Sequence, residues 1–185
     1  PALHPRSKLR GFSLRSYKFL SSRSLWNLLG RTIVLYGDVF FTENAMRTIV
    51  KSDIQDWTLF CRYKHSKITG GKFPECFAQS FYTKDIEKHE KNLWYVAELH
   101  TSGIINRSGG WEHYHAMQGA RGKAVQRYSI LKTIRREPWN LLKRTLQKPY
   151  DGRIEIDDWT EDFDYPSDYD RFIKRWNKRK NAAIS

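Results

Sequence analysis

The chain has 185 residues, enough for one domain with a proper core, and carries 33 Lys and Arg against 20 Asp and Glu, a formal charge of +13. Aromatic residues make up 15%, with 7 Trp, which excludes a disordered basic tail, and the charge favours a polyanionic partner: nucleic acid, a phosphate-rich substrate or an acidic surface. No apolar run approaches membrane-spanning length, none reads as a signal peptide, and Cys61 and Cys76 lack zinc spacing and imply no disulfide framework, so a reducing, cytoplasmic setting is expected.

The chain begins at Pro1 rather than Met, as a processed or partial product would. Basic residues dominate 6–31 and 121–148, whereas 151–170 is acidic. Ser13 to Leu29 carries Leu14, Tyr17, Leu20, Leu25, Leu28 and Leu29 at helical spacing, and Gly30 stands where a C-cap belongs. Its basic residues read as a solvated face or a nucleic-acid arm. Ile33-Val-Leu-Tyr36 is a nearly continuous apolar run, expected as a strand buried on both faces. Gly37 breaks the run and Asp38 follows. A carboxylate at the end of such a strand faces the crevice where open α/β sheets bind ligands, or it caps the next helix. That helix is expected from about Thr42 to Lys51, with Thr42 or Asn44 as N-cap and Ala45, Met46, Ile49 and Val50 buried. Residues 57–62 read as a second buried strand. The alternation of helix and strand to this point favours parallel pairing.

Residues 63–72 form a loop in which Ser66, Thr69, Gly70 and Gly71 let backbone amides approach a ligand. Residues 74–82 read as a third strand, and a helix follows from Thr83 to about Leu99. Ser108-Gly-Gly110 opens directly into another helix, whose first amides favour anions. Trp111 and Tyr114 there are suited to stacking, and Glu112 to holding hydroxyls; equally, the stretch reads as an ordinary capped helix with a buried Trp. His113 and His115, two apart, face different ways on a helix and do not form a zinc pair. Residues 120–150 read as an amphipathic basic helix pair or a phosphate-contacting face. Ile154 and Ile156 alternate as in a strand, and Asp162 and Asp164 alternate likewise, so both project to one side. Two such carboxylates repel unless a metal cation or a Lys sits between them. Pro166 ends the extension, and a last helix is expected from Tyr169 to about Lys178, with Phe172, Ile173 and Trp176 on its inner face.

Two of these stretches resemble one family. Ile33 to Phe41, IVLYGDVFF, resembles the GD-containing strand of sugar-nucleotide transferases with the glycosyltransferase-A fold. Asp157 to Phe172, DDWTEDFDYPSDYDRF, is similar to that group's acidic ending. The segments TGGKFPECFAQSF and SGGWEHYHAMQG are similar to stretches of phage-encoded proteins of this type. The resemblance implies a three-layer α/β/α, mostly parallel, Rossmann-like sheet in a single domain over 1–185. It also implies a metal-dependent transferase: glycosyl transfer from a nucleotide sugar, or nucleotidyl transfer from an NTP to a sugar phosphate. Carried over residue by residue, Asp38 and Asp164 become the catalytic metal ligands for Mg²⁺ or Mn²⁺, with Asp162 as a supplementary ligand. Arg62, Lys72, Gly109, Gly110, Trp111 and Glu112 are then expected around the nucleotide or sugar. The family's opening Gly-rich loop has no counterpart in residues 1–30, so it lies upstream or has been lost. The acceptor is expected to be a sugar phosphate or modified DNA, and the location the cytoplasm, that of the host for a phage product. From a different class, the charge alone fits a non-catalytic nucleic-acid-binding or assembly protein.

Overall fold

A computed structural model describes residues 19–54, 56–62, 65–71, 73–125 and 152–182. Lys72 and most of the basic stretch 121–148 lie outside the described residues. In chain order the elements are β1 (Arg31–Leu35), β2 (Val39–Phe40), α1 (Glu43–Lys51), β3 (Thr58–Arg62), β4 (Glu75–Tyr82), α2 (Ile86–Thr101), α3 (Gly110–Met117), β5 (Arg153–Glu155), β6 (Glu161–Asp162) and α4 (Pro166–Ala182). They belong to two compact units. One comprises 1–30 and 83–151, the other 31–82 and 152–185. None of the described helices is long and apolar enough to cross a membrane.

The second unit is mixed α/β. Its four-stranded sheet has the order β1-β4-β3-β5. β4 runs antiparallel to both β1 and β3, while β3 and β5 are parallel. Strands β1, β3 and β5 therefore share one direction, with β4 inserted against them. Parallel pairing of the first two long strands does not occur, because β4 occupies the place between them. A strand-helix-strand order limits crossover handedness but leaves room for such an insertion. Cys61 and Cys76 face each other across β3 and β4 as buried, unbridged thiols.

Strand β1 is an edge rather than a doubly buried strand, and Leu35 is 42% exposed. Its apolar run is too short to distinguish the two cases. The fully covered strands are β3 and β4. Helix α1 lays Ala45 and Ile49 onto Phe60, Phe77, Ala78 and Ile156. Val50, expected on that face, is exposed. Thr42 caps the helix by accepting the Ala45 N–H at 3.0 Å. At the other end Arg31 donates to the carbonyls of Ile49 and Val50 at 2.8 and 2.9 Å, a cation on the negative helix terminus. Helix α4 starts at Pro166, earlier than expected, since a proline at the first position already has helical φ and has no N–H to leave unpaired. Its Phe172 and Trp176 close an aromatic cluster with Phe40, Trp159 and Phe163.

In the first unit, α2 and α3 pack through Val96, Leu99, Ile105 and Ala116. The helix expected to reach Leu29 does not. Residues 19–21 are helical, Arg23–Leu25 is a 3₁₀ turn, and Leu25, Leu28 and Leu29 are exposed. The Asn27 side chain accepts the Leu29 N–H at 2.9 Å, a local bond that competes with helix continuation.

Candidate metal centre

The ribbon β2-β6 brings the two acidic motifs together. Val39 pairs with Asp162 and Phe40 with Glu161. The Phe163 N–H donates to the Asp38 carbonyl at 3.0 Å, so the residue between Asp162 and Asp164 is clamped to Asp38. Phe163 turns into the aromatic cluster on Tyr169 and Phe172. Extended chain then projects Asp162 and Asp164 to the same side. One carboxylate oxygen from each of Asp38, Asp162 and Asp164 lies within 4.8 Å of the other two. Asp38 and Asp164 are exposed and Asp162 is half-buried. Three hard oxygen donors at the solvent edge suit Mg²⁺, Mn²⁺ or Ca²⁺. Adjacent oxygens on Mg²⁺ sit about 3 Å apart and opposite ones about 4 Å, so the cluster closes on such an ion by small side-chain rotations.

Local sequence holds the ribbon in place. Asp158 accepts the Thr160 N–H at 2.7 Å and the hydroxyl of Thr42, the N-cap of α1. The Thr42 N–H in turn donates to the Thr160 hydroxyl at 3.3 Å. Beneath the ribbon Glu161 is buried in a forked ion pair with Arg62, at 2.9 and 3.1 Å, and Arg171 stands 3.7 Å away. Arg62 is 1% exposed. Both terminal nitrogens of Arg62, expected near a phosphate, face Glu161, because a carboxylate so deeply buried requires a partner charge. The loop before β4 is closed in the same way. The Ser66 hydroxyl accepts the N–H groups of Ile68 and Thr69, and Thr69 accepts that of Gly71, so those amides are turned inward rather than to a ligand.

Glu75 was not singled out by sequence. Burial first, then the charges of Asp162, Asp164 and Glu161, push its carboxyl up to about 8, with Arg62 opposing. Its register opposite Arg62 is the only signal, and that register is invisible before β3 and β4 are paired.

Gly109, Gly110, Trp111 and Glu112 belong to the other unit. Gly109 and Gly110 do open α3, but Glu112 is fully buried and folds back to accept the Gly109 N–H at 2.9 Å. Trp111 is 9% exposed and packs edge-on against Tyr114. A short helix with every residue after Gly110 buried satisfies its own terminus in this way. His113 meets His89 of α2 at 3.0 Å.

Comparison with protein-family models, with curated proteins and with solved structures finds no match.

Proposed function

We propose that this chain is a divalent-metal-dependent transferase acting on a nucleotide sugar or an NTP, by glycosyl transfer or by nucleotidyl transfer to a sugar phosphate. The observation that carries the reading is the convergence of Asp38 with Asp162 and Asp164, 124 and 126 positions later in the chain (162 − 38 and 164 − 38), at one edge of the β2-β6 ribbon. The resemblance of both motifs to glycosyltransferase-A-fold enzymes supports it, as does the common direction of β1, β3 and β5, which suits a Rossmann-like sheet with one reversed strand. Asp38 and Asp164 would hold a Mg²⁺ or Mn²⁺ ion, with Asp162 completing the carboxylate face, and such an ion would supply positive charge against the diphosphate as the bond to it breaks. In glycosyl transfer the acceptor oxygen bonds to the anomeric carbon and the nucleoside diphosphate leaves. In nucleotidyl transfer the sugar phosphate oxygen bonds to the α-phosphorus and pyrophosphate leaves. The reading places the work in the cytoplasm.

The test is a thermal-shift panel of nucleotide sugars and NTPs with and without Mn²⁺. A stabilisation that needs both ligand and Mn²⁺, and that disappears in Asp38→Ala and Asp164→Ala, is expected. Unchanged Mn²⁺-dependent nucleotide binding in both variants refutes the proposal. The formal charge of +13 favours a second reading, a non-catalytic nucleic-acid-binding protein. Its signature is affinity for DNA or RNA that falls steeply with salt. A transferase whose acceptor is modified DNA combines the two.

A further inference from the structure

The C-terminal part of α4 carries six cations from Arg171 to Lys180 and, from 171 to 182, no carboxylate. At about 100° per residue, Arg171, Lys174, Arg175, Lys178 and Arg179 fall on one flank of the helix. They recur at spacings of three and four, so the flank sets like charges side by side, which destabilises a helix. Cations offset the negative end of a helix dipole, but only within the last turn, and Lys174 and Arg175 stand before it. Arg171 is ion-paired with Asp168. Lys174 and Lys178 are exposed and make no ion pair among the described residues. The loop against this flank adds the exposed Lys67.

Arg175 is the informative group. Its Nη1 donates to the carbonyls of Lys67 and Ile68 at 3.0 and 3.3 Å. A Cβ on Gly70 would lie 2.6, 2.8 and 3.0 Å from Arg175 Nε, Cζ and Nη2, so the guanidinium lies flat on the glycine. Gly70 has φ +78°, the left-handed region that glycine adopts without strain. The loop thus holds the guanidinium by one nitrogen and one face. The remaining edge, Nε with Nη2, has no hydrogen-bond partner among the described residues, and the side chain is exposed. That edge is a two-donor fork matched to phosphate and already fixed in place. Rings border the flank. Arg179 lies over Trp159 at 5.5 Å, Trp159 and Trp176 are half-buried, and Phe40 is 39% exposed. Phe172 is 4% exposed and stacks with Trp176 inside the aromatic cluster. The apolar face of α4 is therefore taken up within the protein, whereas a helix that lies in a lipid surface keeps that face free.

We propose that this flank of α4, together with Lys67, binds the backbone of a single-stranded nucleic acid. Arg175 grips one phosphate through Nε and Nη2, Lys174, Lys178 and Lys67 contact its neighbours, and the rings at Phe40, Trp159 and Trp176 stack an unpaired base. A duplex keeps its bases stacked on one another and offers the rings nothing. The inference rests on the charge-based reading above and gives it an address; the aspartate cluster takes no part.

The test titrates the full chain in EDTA, over a series of salt concentrations, with a labelled single strand of about twelve nucleotides, the matching duplex and vesicles of anionic lipid. The single strand is expected to bind most tightly. Lys174→Gln with Lys178→Gln is expected to flatten the slope of log affinity against log salt by about 1.4, about 0.7 for each lost contact. It is not expected to lower the melting temperature, since it relieves a like-charge pair on an exposed helix flank. Arg175→Lys keeps the charge and removes the fork, so affinity is expected to fall about tenfold with the slope unchanged. Arg47→Gln with Lys51→Gln removes as much charge from the exposed side of α1 and is expected to leave affinity and slope nearly unchanged. Strand binding that this control weakens as much as the α4 pair does, or that every α4 variant leaves intact, overturns the site and leaves the charge-based reading standing. Tighter binding of the duplex or the vesicles overturns the assigned partner. Absence of strand binding at low salt overturns both the site and the reading it rests on.

Discussion

Acidification is expected to loosen the contact between α2 and α3 through two histidines. His113 Nε2 and His89 Nδ1 lie 3.0 Å apart in a buried site. One nitrogen must donate and the other accept; a proton added to the accepting nitrogen turns it into a second donor and breaks the bond. Burial pushes His89 from the usual 6.5 down to about 3. Burial, and then the neighbouring His89, hold His113 well below its ordinary value. A depressed histidine pKa means that the unfolded chain binds more protons than the native one between the two values. Stability is therefore full above about pH 6.5 and falls as pH drops towards 3. For His89 alone the span of 6.5 − 3 corresponds to a ceiling of about 5 kcal/mol, and at pH 5 the loss is about 2 kcal/mol. That is a large share of a typical stability of about 5–15 kcal/mol. NMR of the imidazole ring carbons reads the protonation, and amide hydrogen exchange along α2 and α3 reads the opening energy. Neither ring is expected to titrate between pH 8 and 5, while protection in both helices falls. A ring titrating with a midpoint between 6 and 7, or protection unchanged from pH 7 to pH 5, refutes the reasoning.

Three further outcomes are expected. Arg62→Met strands the Glu161 carboxylate and lowers stability by about 3–5 kcal/mol, whereas Arg62→Met with Glu161→Leu recovers most of it; denaturant melts in which the single variant loses under about 1 kcal/mol contradict the buried pair. A Cβ at Gly71 would collide with the Arg62 guanidinium and the Glu161 carboxylate, while one at Gly37 meets nothing within 4 Å. Gly71→Ala is then expected to lose about 1–3 kcal/mol and Gly37→Ala less than about 0.5 kcal/mol, read as melting temperatures, and equal effects reject the packing assigned to Gly71. In EDTA, Asp38→Asn relieves repulsion from Asp162 and Asp164 and raises stability by about 0.5 kcal/mol; in Mn²⁺ the native chain becomes the more stable one, and an ordering that ignores the ion argues against a cation at these carboxylates.

Local spacing made part of this molecule legible in the sequence. Period two put Asp162 and Asp164 on one side, the start of an amphipathic run placed the α1 cap at Thr42 or Asn44, and Ala45, Met46, Ile49 and Val50 stood for its inner face, of which Ala45 and Ile49 are buried. These features depend on residues within one or two turns of one another, so sequence states them directly. What lies across the chain was decided only by tertiary structure. β4 slips between β1 and β3 and leaves the most apolar run on an edge. Arg62 finds Glu161, Glu75 comes beside the aspartates, and His113 meets His89. Spacing fixes which way a side chain points from its own element. It says nothing of what stands opposite, because strand register and helix packing are set by the fit of surfaces far apart in sequence, and a buried charge or amide takes its role from that neighbour.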